Sequence, residues 1–374
     1  MDPVVVVGGG IVGASVTHHL RRADVPVVLY ERDALGGGTT ADSAAMFVWK
    51  AAPARPGAPD GTAHRLRARS WETYERLVDE GTVEFSRVGG LYPAESAGRL
   101  DRLRAAAERL GGFGVGTEVL DADGLERFGL VADGLIGGLY VPDEGYLDPG
   151  EIVQFLASEA RAAGARVETG AAVTDVFVEE DRAVGIEVDG ERVPASGIVN
   201  AAGPWAPSVD AMAGVSLPLR HNRGPILVLD HDADRTLPFV EFEDGHYVRG
   251  EGRRQVFAGR YGAGYDAAGR LDLDAARAAD EGFRLAVGDL FERYLPSLVD
   301  ARVRTDWVGV RTITPDGRPF VGVTGLDGYY AATGMNGLGV TLAPAAGEHL
   351  ASVVAADRDP EPAFRTYLSP SRVE

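Results

Sequence analysis

A wholly apolar run, Val4–Val7, leads at once into Gly8-Gly9-Gly10-Ile11-Val12-Gly13. A helix-like stretch over 14–23 follows, then a second apolar run over 25–30 that ends on Glu31. The order is strand, glycine turn, helix, strand, acid. Gly8, Gly10 and Gly13 form a G-x-G-x-x-G pattern: the first permits a tight turn, the second lets the backbone approach a pyrophosphate, and the third lets helix and strand pack closely. The helix N-terminus then offers unpaired N–H groups and the positive end of its dipole to phosphate. Glu31 stands 18 residues beyond Gly13, close to the spacing of a carboxylate that accepts from a ribose 2′-OH. These residues predict a dinucleotide site and leave open which dinucleotide, because FAD and NAD share this adenosine-binding half.

Composition narrows the rest. The 374 residues carry a net charge of −19, so no basic surplus exists to neutralise nucleic-acid phosphates. Cysteine is absent, which removes disulfides, thiolate metal sites, cysteine nucleophiles and any cysteinyl-linked cofactor. No metal-ligand spacing stands out. No apolar run reaches membrane-spanning length, and no basic leader precedes the first strand; a cytoplasmic protein is the expectation. Lys50 is the only lysine among 37 basic residues.

Along the chain, 36–46 is a loop of glycines, hydroxyls and small residues, suited to close backbone approach to a ligand. The segment 51–61 reads as a connector. Helices are expected over 62–80, with its arginines on a solvated face, over 97–110, over 119–128, and over 150–163. Asp148-Pro149 opens the last of these with an N-cap acid and a first-turn proline. Asp189-Gly190 predicts a hairpin. The strand 197–200 runs into Ala201-Ala202-Gly203-Pro204-Trp205-Ala206, a small-residue turn at a strand's C-terminal end. From 225 to 259 short strands alternate with turn residues, which implies a second, antiparallel-rich domain; a long helix is expected over 273–294. The strand 329–332 meets a second glycine-rich turn, Thr333-Gly334-Met335-Asn336-Gly337-Leu338-Gly339, and then a helix. Two such turns at opposite ends suggest one long ligand held by both. His18 and His19 read as packing or surface residues.

Taken together, these segments resemble the FAD-dependent D-amino-acid oxidase, glycine oxidase and sarcosine oxidase superfamily. The marks are the N-terminal glycine motif, Gly38-Thr39-Thr40 with Ser43-Ala44-Ala45-Met46, and Gly145-Tyr146-Leu147-Asp148-Pro149. They continue with Val199-Asn200-Ala201-Ala202-Gly203-Pro204-Trp205, Tyr247-Val248-Arg249, and Trp307 to Gly317, and end with Ala332 to Pro344. The resemblance implies an α/β fold: a Rossmann-like FAD-binding domain of the glutathione-reductase type, with an inserted mixed antiparallel-sheet substrate domain. The expected division is 1–80, 145–210 and 301–374 for FAD, and 81–144 and 211–300 for substrate. It implies FAD contacts at Gly8, Gly10, Ile11, Val12, Gly13, Glu31, Arg32, Thr39, Thr40, Ser43, Ala44, Ala45, Met46, Val173, Gly203, Gly334, Asn336, Gly337, Leu338, Gly339 and Thr341.

The implied activity is hydride transfer from the α-carbon or N-alkyl carbon of an amino acid or amine to flavin N5, giving an imine that hydrolyses. Arg311 falls where glycine and D-amino-acid oxidases place the arginine that binds the substrate carboxylate, and Tyr247 where the family often places a hydroxyl near substrate. Met46, Phe47 and Trp49 are candidates for pocket wall or core. The chain departs from the sarcosine-oxidase pattern: it has no cysteine for flavin attachment, Asp42 stands where related dehydrogenases use a histidine, and Phe257 stands where an oxygen-activating lysine is found. Dissociable FAD follows. O2 or another electron acceptor, a quinone or carrier protein, remains open, as do a 2-hydroxy-acid substrate, a flavin-holding subunit of a larger complex, and the oligomeric state.

Overall fold

The computed structural model describes residues 2–50, 61–232, 236–261, 271–273, 278–355 and 361–373. The expected connector at 51–60 and part of the expected helix, 274–277, lie outside these residues.

Val4–Val7 forms the centre of a six-stranded sheet. Val27–Glu31 and then Arg166–Thr169 lie parallel on one side. Gly197–Asn200 and Tyr329–Thr333 lie parallel on the other, and Phe320–Val323 closes that edge antiparallel. All four valines are buried because both faces are covered, as parallel sheets require. Val4 and Val6 pack with Val16, Leu342 and Leu350 of two helices, Ile11–Arg22 and Gly339–Ala355. Val5 and Val7 pack with Val176, Ile186 and Val209, from a three-stranded sheet and the helix Ala206–Met212. Asp189 and Gly190 both take positive φ, 53° and 78°, in the tight turn expected there.

A mixed eight-stranded sheet forms the second layer. Its order is Arg302–Ile313, Arg220–Asp230, Gln255–Arg260, His246–Glu251, Phe239–Glu241, Gly90–Ala94, Gly137–Val141 and Glu118–Leu120. All neighbours are antiparallel except Phe239–Glu241 with Gly90–Ala94. One face packs Leu227, Val248 and Val256 against Phe283, Val287 and Phe291 of the helix Glu281–Tyr294. Side chains alternate along a strand, so Tyr247 and Arg249 point to the opposite face, toward the first layer. A small sheet of Met46–Phe47, Gly145–Leu147 and Phe85–Ser86 bridges the two layers.

Several boundaries differ from the sequence expectation. The strand Arg302–Ile313, expected in the FAD-binding unit, pairs along its length with Arg220–Asp230 in the eight-stranded sheet. Gly145–Leu147 belongs to the bridging sheet. The helix expected over 273–294 begins at Glu281, where Asp280 caps it by accepting from the Phe283 N–H. The stretch 119–128 contains a strand end as well as the helix Ala122–Glu126, which Asp121 caps. The helix from Ala97 runs on through its two glycines to Gly112. Arg67, expected on a solvated face, is 3% exposed. Its Nε donates to the Val48 carbonyl at 3.0 Å and its Nη1 to the Ala63 carbonyl at 2.9 Å, which satisfies the buried charge locally.

Asp148 accepts from the N–H groups of Gly150 and Glu151 at 2.7 and 3.1 Å, capping the helix Pro149–Ala162. Asp148→Ala leaves those donors without a side-chain partner. The expected loss of stability is about 1 kcal/mol, measured by urea unfolding.

Candidate active site

One long cleft runs between the two layers, lined at one end by Tyr30, Glu31, Arg32, Val173 and Trp205 and at the other by Tyr247, Tyr261, Arg311 and Gly337. It opens at the C-terminal ends of Val4–Val7 and Gly197–Asn200, adjacent parallel strands whose chains depart in different directions. Ligands bind at such crevices in open α/β sheets.

The glycine turn is built for close approach. At Gly13 a Cβ would sit 1.9 Å from the Gly8 carbonyl oxygen, and at Gly8, with φ +107°, it would sit 2.6 Å from the Ala201 oxygen. Strand, turn and helix therefore lie as close as three backbones can. A Cβ at Gly10 would meet only the Thr40 hydroxyl, at 3.2 Å, and Gly10 faces the cleft. The Ile11 N–H donates to Thr40 Oγ1 at 3.1 Å, which ties the loop to the helix N-terminus. Glu31 accepts from the Gly9 N–H at 2.6 Å and the Asp33 N–H at 2.8 Å, so its carboxylate is held rigidly in the cleft wall. Arg32 lies 4.5 Å from the ring centroid of Trp205, which extends that wall.

The loop after Glu31 reaches the other layer. Thr39 Oγ1 donates to the Val310 carbonyl at 2.6 Å, and Trp307 Nε1 donates to the Asp42 carbonyl at 3.0 Å. Ser43, Ala44, Ala45 and Met46 line the cleft. At the far end Asn336 pins the second glycine turn. Its N–H donates to the Thr312 carbonyl at 3.1 Å and its Oδ1 accepts from the Thr314 N–H at 3.0 Å.

Of the expected contact residues, the cleft brings together Gly8, Gly10, Ile11, Val12, Glu31, Arg32, Thr39, Thr40, Ser43 to Met46, Val173, Gly203, Gly334, Asn336, Gly337, Leu338 and Gly339, along with Tyr247 and Arg311. Gly13 lies one layer back as a packing position. Thr341 does not reach the cleft. It is fully buried, donates to the Met46 carbonyl at 3.1 Å and accepts from the Val48 N–H at 3.4 Å, joining the C-terminal helix to the cleft wall. Met46 lines the cleft, whereas Phe47 and Trp49 point into an aromatic core with Trp71. Burial lowers His18 to about 4 and His19 to about 3, so both stay neutral packing residues. Among the described residues no cluster of His, Asp or Glu is arranged to hold a metal, and no helix is long and apolar enough to cross a membrane.

Arg311 carries the chemistry of the far end. Its Nη2 donates to the Arg260 carbonyl at 2.8 Å and its Nη1 to Asn222 Oδ1 at 3.4 Å. Both acceptors are neutral, and among the described residues no carboxylate pairs with it. Tyr247 stands opposite Gly259 in register, where a Cβ would lie 2.2 Å from the Tyr247 ring, so glycine makes room for the phenol. Burial pushes the Tyr247 phenol up while Arg311 and Arg249 pull it down; burial likewise raises Tyr261. Both remain neutral hydroxyls. The rings of Tyr247 and Tyr261 are 5.1 Å apart. Tyr261 is not among the residues expected from the sequence; its two-residue spacing from Gly259 was the available signal.

The model of the DAO family, described as FAD dependent oxidoreductase, matches residues 3–353. The chain belongs to this family. FAD is its cofactor, and the cleft fits it: the backbone at Gly10 is open to a pyrophosphate, and both glycine turns line the same cleft. The chain is 30% identical over 371 residues to 4-methylaminobutanoate oxidase (formaldehyde-forming) of Paenarthrobacter nicotinovorans, covering 94% of this chain and 43% of that one. It is 30% identical over 369 residues to human mitochondrial sarcosine dehydrogenase, covering 93% and 39%. It therefore spans well under half the length of these relatives. L-proline dehydrogenase from P. horikoshii shares the fold, with a TM-score of 0.86 at 24% identity over 100% of this chain and 97% of that one.

Gly13→Ala places a methyl where only 1.9 Å is free. The expected outcome is a folded but less stable protein that loses bound flavin, read as a fall in flavin absorbance relative to protein after gel filtration.

Proposed function

We propose that the protein oxidises an amino acid or N-alkyl amino acid at the carbon next to nitrogen, with FAD as the immediate oxidant. The observation that carries this reading is Arg311: a guanidinium at the far end of the FAD cleft that, among the described residues, donates to neutral acceptors. A half-buried cation with no carboxylate partner among the described residues favours an anionic ligand, and the planar fork suits a carboxylate. The names of the two relatives, an oxidase of a methylamino acid and a dehydrogenase of sarcosine, point to the same substrate class.

Gly8, Gly10, Ile11 and Val12 would hold the pyrophosphate at the helix N-terminus. Glu31 would accept from the adenosine ribose, with Arg32 and Val173 beside the adenine. Gly334 to Gly339 and Ala44 to Met46 would flank the reacting ring. FAD would be held without a covalent link: the chain has no cysteine, and the resemblance puts Asp42 at the position where related dehydrogenases use a histidine. FAD supplies the two-electron sink; the protein supplies orientation.

Arg311 binds the substrate carboxylate and fixes which carbon faces the cofactor, which converts binding into a reactive alignment. Tyr247 and Tyr261, kept neutral by burial, offer hydroxyls to the carboxylate or the amine. Tyr247 lies on the strand His246–Glu251 and Tyr261 one residue past the strand Gln255–Arg260, so the sheet roofs this end of the cleft. The first turn of the helix Gly339–Ala355 opens on the cleft and directs its positive dipole end there, which stabilises negative charge. Electrons leave to O2 or to another acceptor.

Anaerobic mixing with a panel of D-, L- and N-methyl amino acids should bleach the flavin with at least one member; a panel that leaves the spectrum unchanged removes the amino-acid reading. With the bleaching substrate, Arg311→Met should raise KM by two orders of magnitude or so, a loss of about 3 kcal/mol typical of a charge-assisted hydrogen bond. Acid precipitation should leave the yellow colour in the supernatant. Colour retained in the pellet would rule out dissociable FAD.

A further inference from the structure

Glu144 is a charged residue that neither the cofactor nor the carboxylate site uses. It lies just before Gly145–Leu147 and is fully buried. Its Oε1 accepts from the N–H groups of Trp49 and Lys50 at 2.6 and 2.8 Å, and its Oε2 from the Tyr92 hydroxyl. The strand Gly90–Ala94 passes so close that a Cβ on Gly90 would lie 1.8 Å from Glu144 Oε2. This carboxyl therefore clamps the end of the segment 46–50, whose Met46 and Val48 line the cleft.

The clamp positions a second group of charges. Lys50 Nζ donates to Glu241 at 2.6 Å and lies 3.8 Å from the centroid of the Tyr92 ring. Glu241 is opposite Tyr247 in register, so both side chains project from the cleft face of the sheet. Arg99 Nη2 stands 3.8 Å from Glu241, and Arg67 faces Glu144 from the helix Thr62–Asp79. Tyr261, in the cleft wall, feels the charges of both Glu241 and Glu144.

We infer that Glu144 is a positioning residue for the carboxylate end of the cleft: with Tyr92 it holds one exchangeable proton inside the wall, and loss of that proton adds a negative charge that weakens anion binding at Arg311. The inference rests on the reading of that end as a carboxylate site. Burial raises the Glu144 carboxyl from 4.5 to about 7, against the pull of Tyr92, the two N–H groups and Lys50. The proton is thus exchangeable near neutrality. When it is present, the O–H can donate to the Tyr92 oxygen; when it leaves, Tyr92 donates back.

The sign of the linkage follows. Between pH 4.5 and about 7 the folded state keeps a proton that the unfolded chain has lost. Stability from this group therefore falls as pH rises through that window and levels off above it. Glu144→Gln keeps the acceptor for both N–H groups and a donor for Tyr92, with no ionisation.

The test uses the FAD-loaded protein. Melting temperatures of wild type and E144Q are compared from pH 5 to 8, and benzoate is titrated at each pH by the change in flavin absorbance. The wild-type melting temperature should fall relative to E144Q as pH rises. The benzoate Kd should rise several-fold between pH 6 and 8 in wild type and stay flat in E144Q. Tyr92→Phe, which removes the donor that favours the ionised form, should move both midpoints to higher pH. A melting difference that is flat with pH overturns the exchangeable proton. A melting difference that tracks pH while both proteins bind benzoate with the same pH dependence overturns the link to the cleft. Failure of benzoate to bind at any pH also overturns that link, by removing the anion site; flavin that no amino acid bleaches, with benzoate binding intact, removes only the reading of the reaction.

Discussion

The contact between the helix Ile11–Arg22 and the helix Gly339–Ala355 holds the cleft together. The two are more than three hundred residues apart in the chain, yet they touch at backbone distance. A Cβ on Gly347 would lie 2.3 Å from Ser15 Oγ, and that hydroxyl donates to the Ala343 carbonyl at 2.8 Å. Because this contact is short, the two glycine turns that precede these helices open on one cavity. Tyr74, fully buried, reinforces the arrangement by donating to the Val340 carbonyl at 2.6 Å, and Thr341 ties the same helix to Met46 and Val48.

The wall between cofactor and core depends on buried polar groups to a degree unusual for apolar packing. Arg67, Glu144 and Thr341 each hydrogen-bond the backbone of 46–50 from a different element. Such groups add little net stability, because desolvation offsets the attraction. They do select one placement: an apolar substitute would leave the N–H groups of Trp49 and Lys50 buried without partners, which is costly. Arg249 is held on the roof differently, by the Glu251 carboxylate and by stacking 3.8 Å from the Tyr146 ring centroid and 4.4 Å from that of Phe257.

Legibility in the sequence followed the range of the interactions. The strand–turn–helix at the start, the caps at Asp148 and Asp121, and the Asp189-Gly190 hairpin were readable because each is decided within a few residues. The long helix expected over 273–294 was over-extended because its apolar spacing continues past the Asp280 cap, and a cap is weaker evidence than periodicity. The extended character of Arg302–Ile313 is legible, but its partner is not, because its apolar pattern is the same whichever neighbour it joins; its pairing with Arg220–Asp230 is a contact across some eighty residues. Arg67 was assigned to solvent because charge alone does not reveal a carbonyl waiting for it.

The amino-acid sequence determined by itself that this chain makes a dinucleotide cradle, that both ends contribute to it, and that no cysteine takes part. Those conclusions need only spacing, composition and local backbone preference. The tertiary structure alone decided which polar groups meet at the reacting end. Tyr247 and Arg311 face the cleft because of strand register, in which a slip of one residue would turn either to the other face, and Tyr261 joins them one residue past its strand. Glu144 reaches the cleft wall because a glycine, Gly90, leaves space on a strand some fifty residues away.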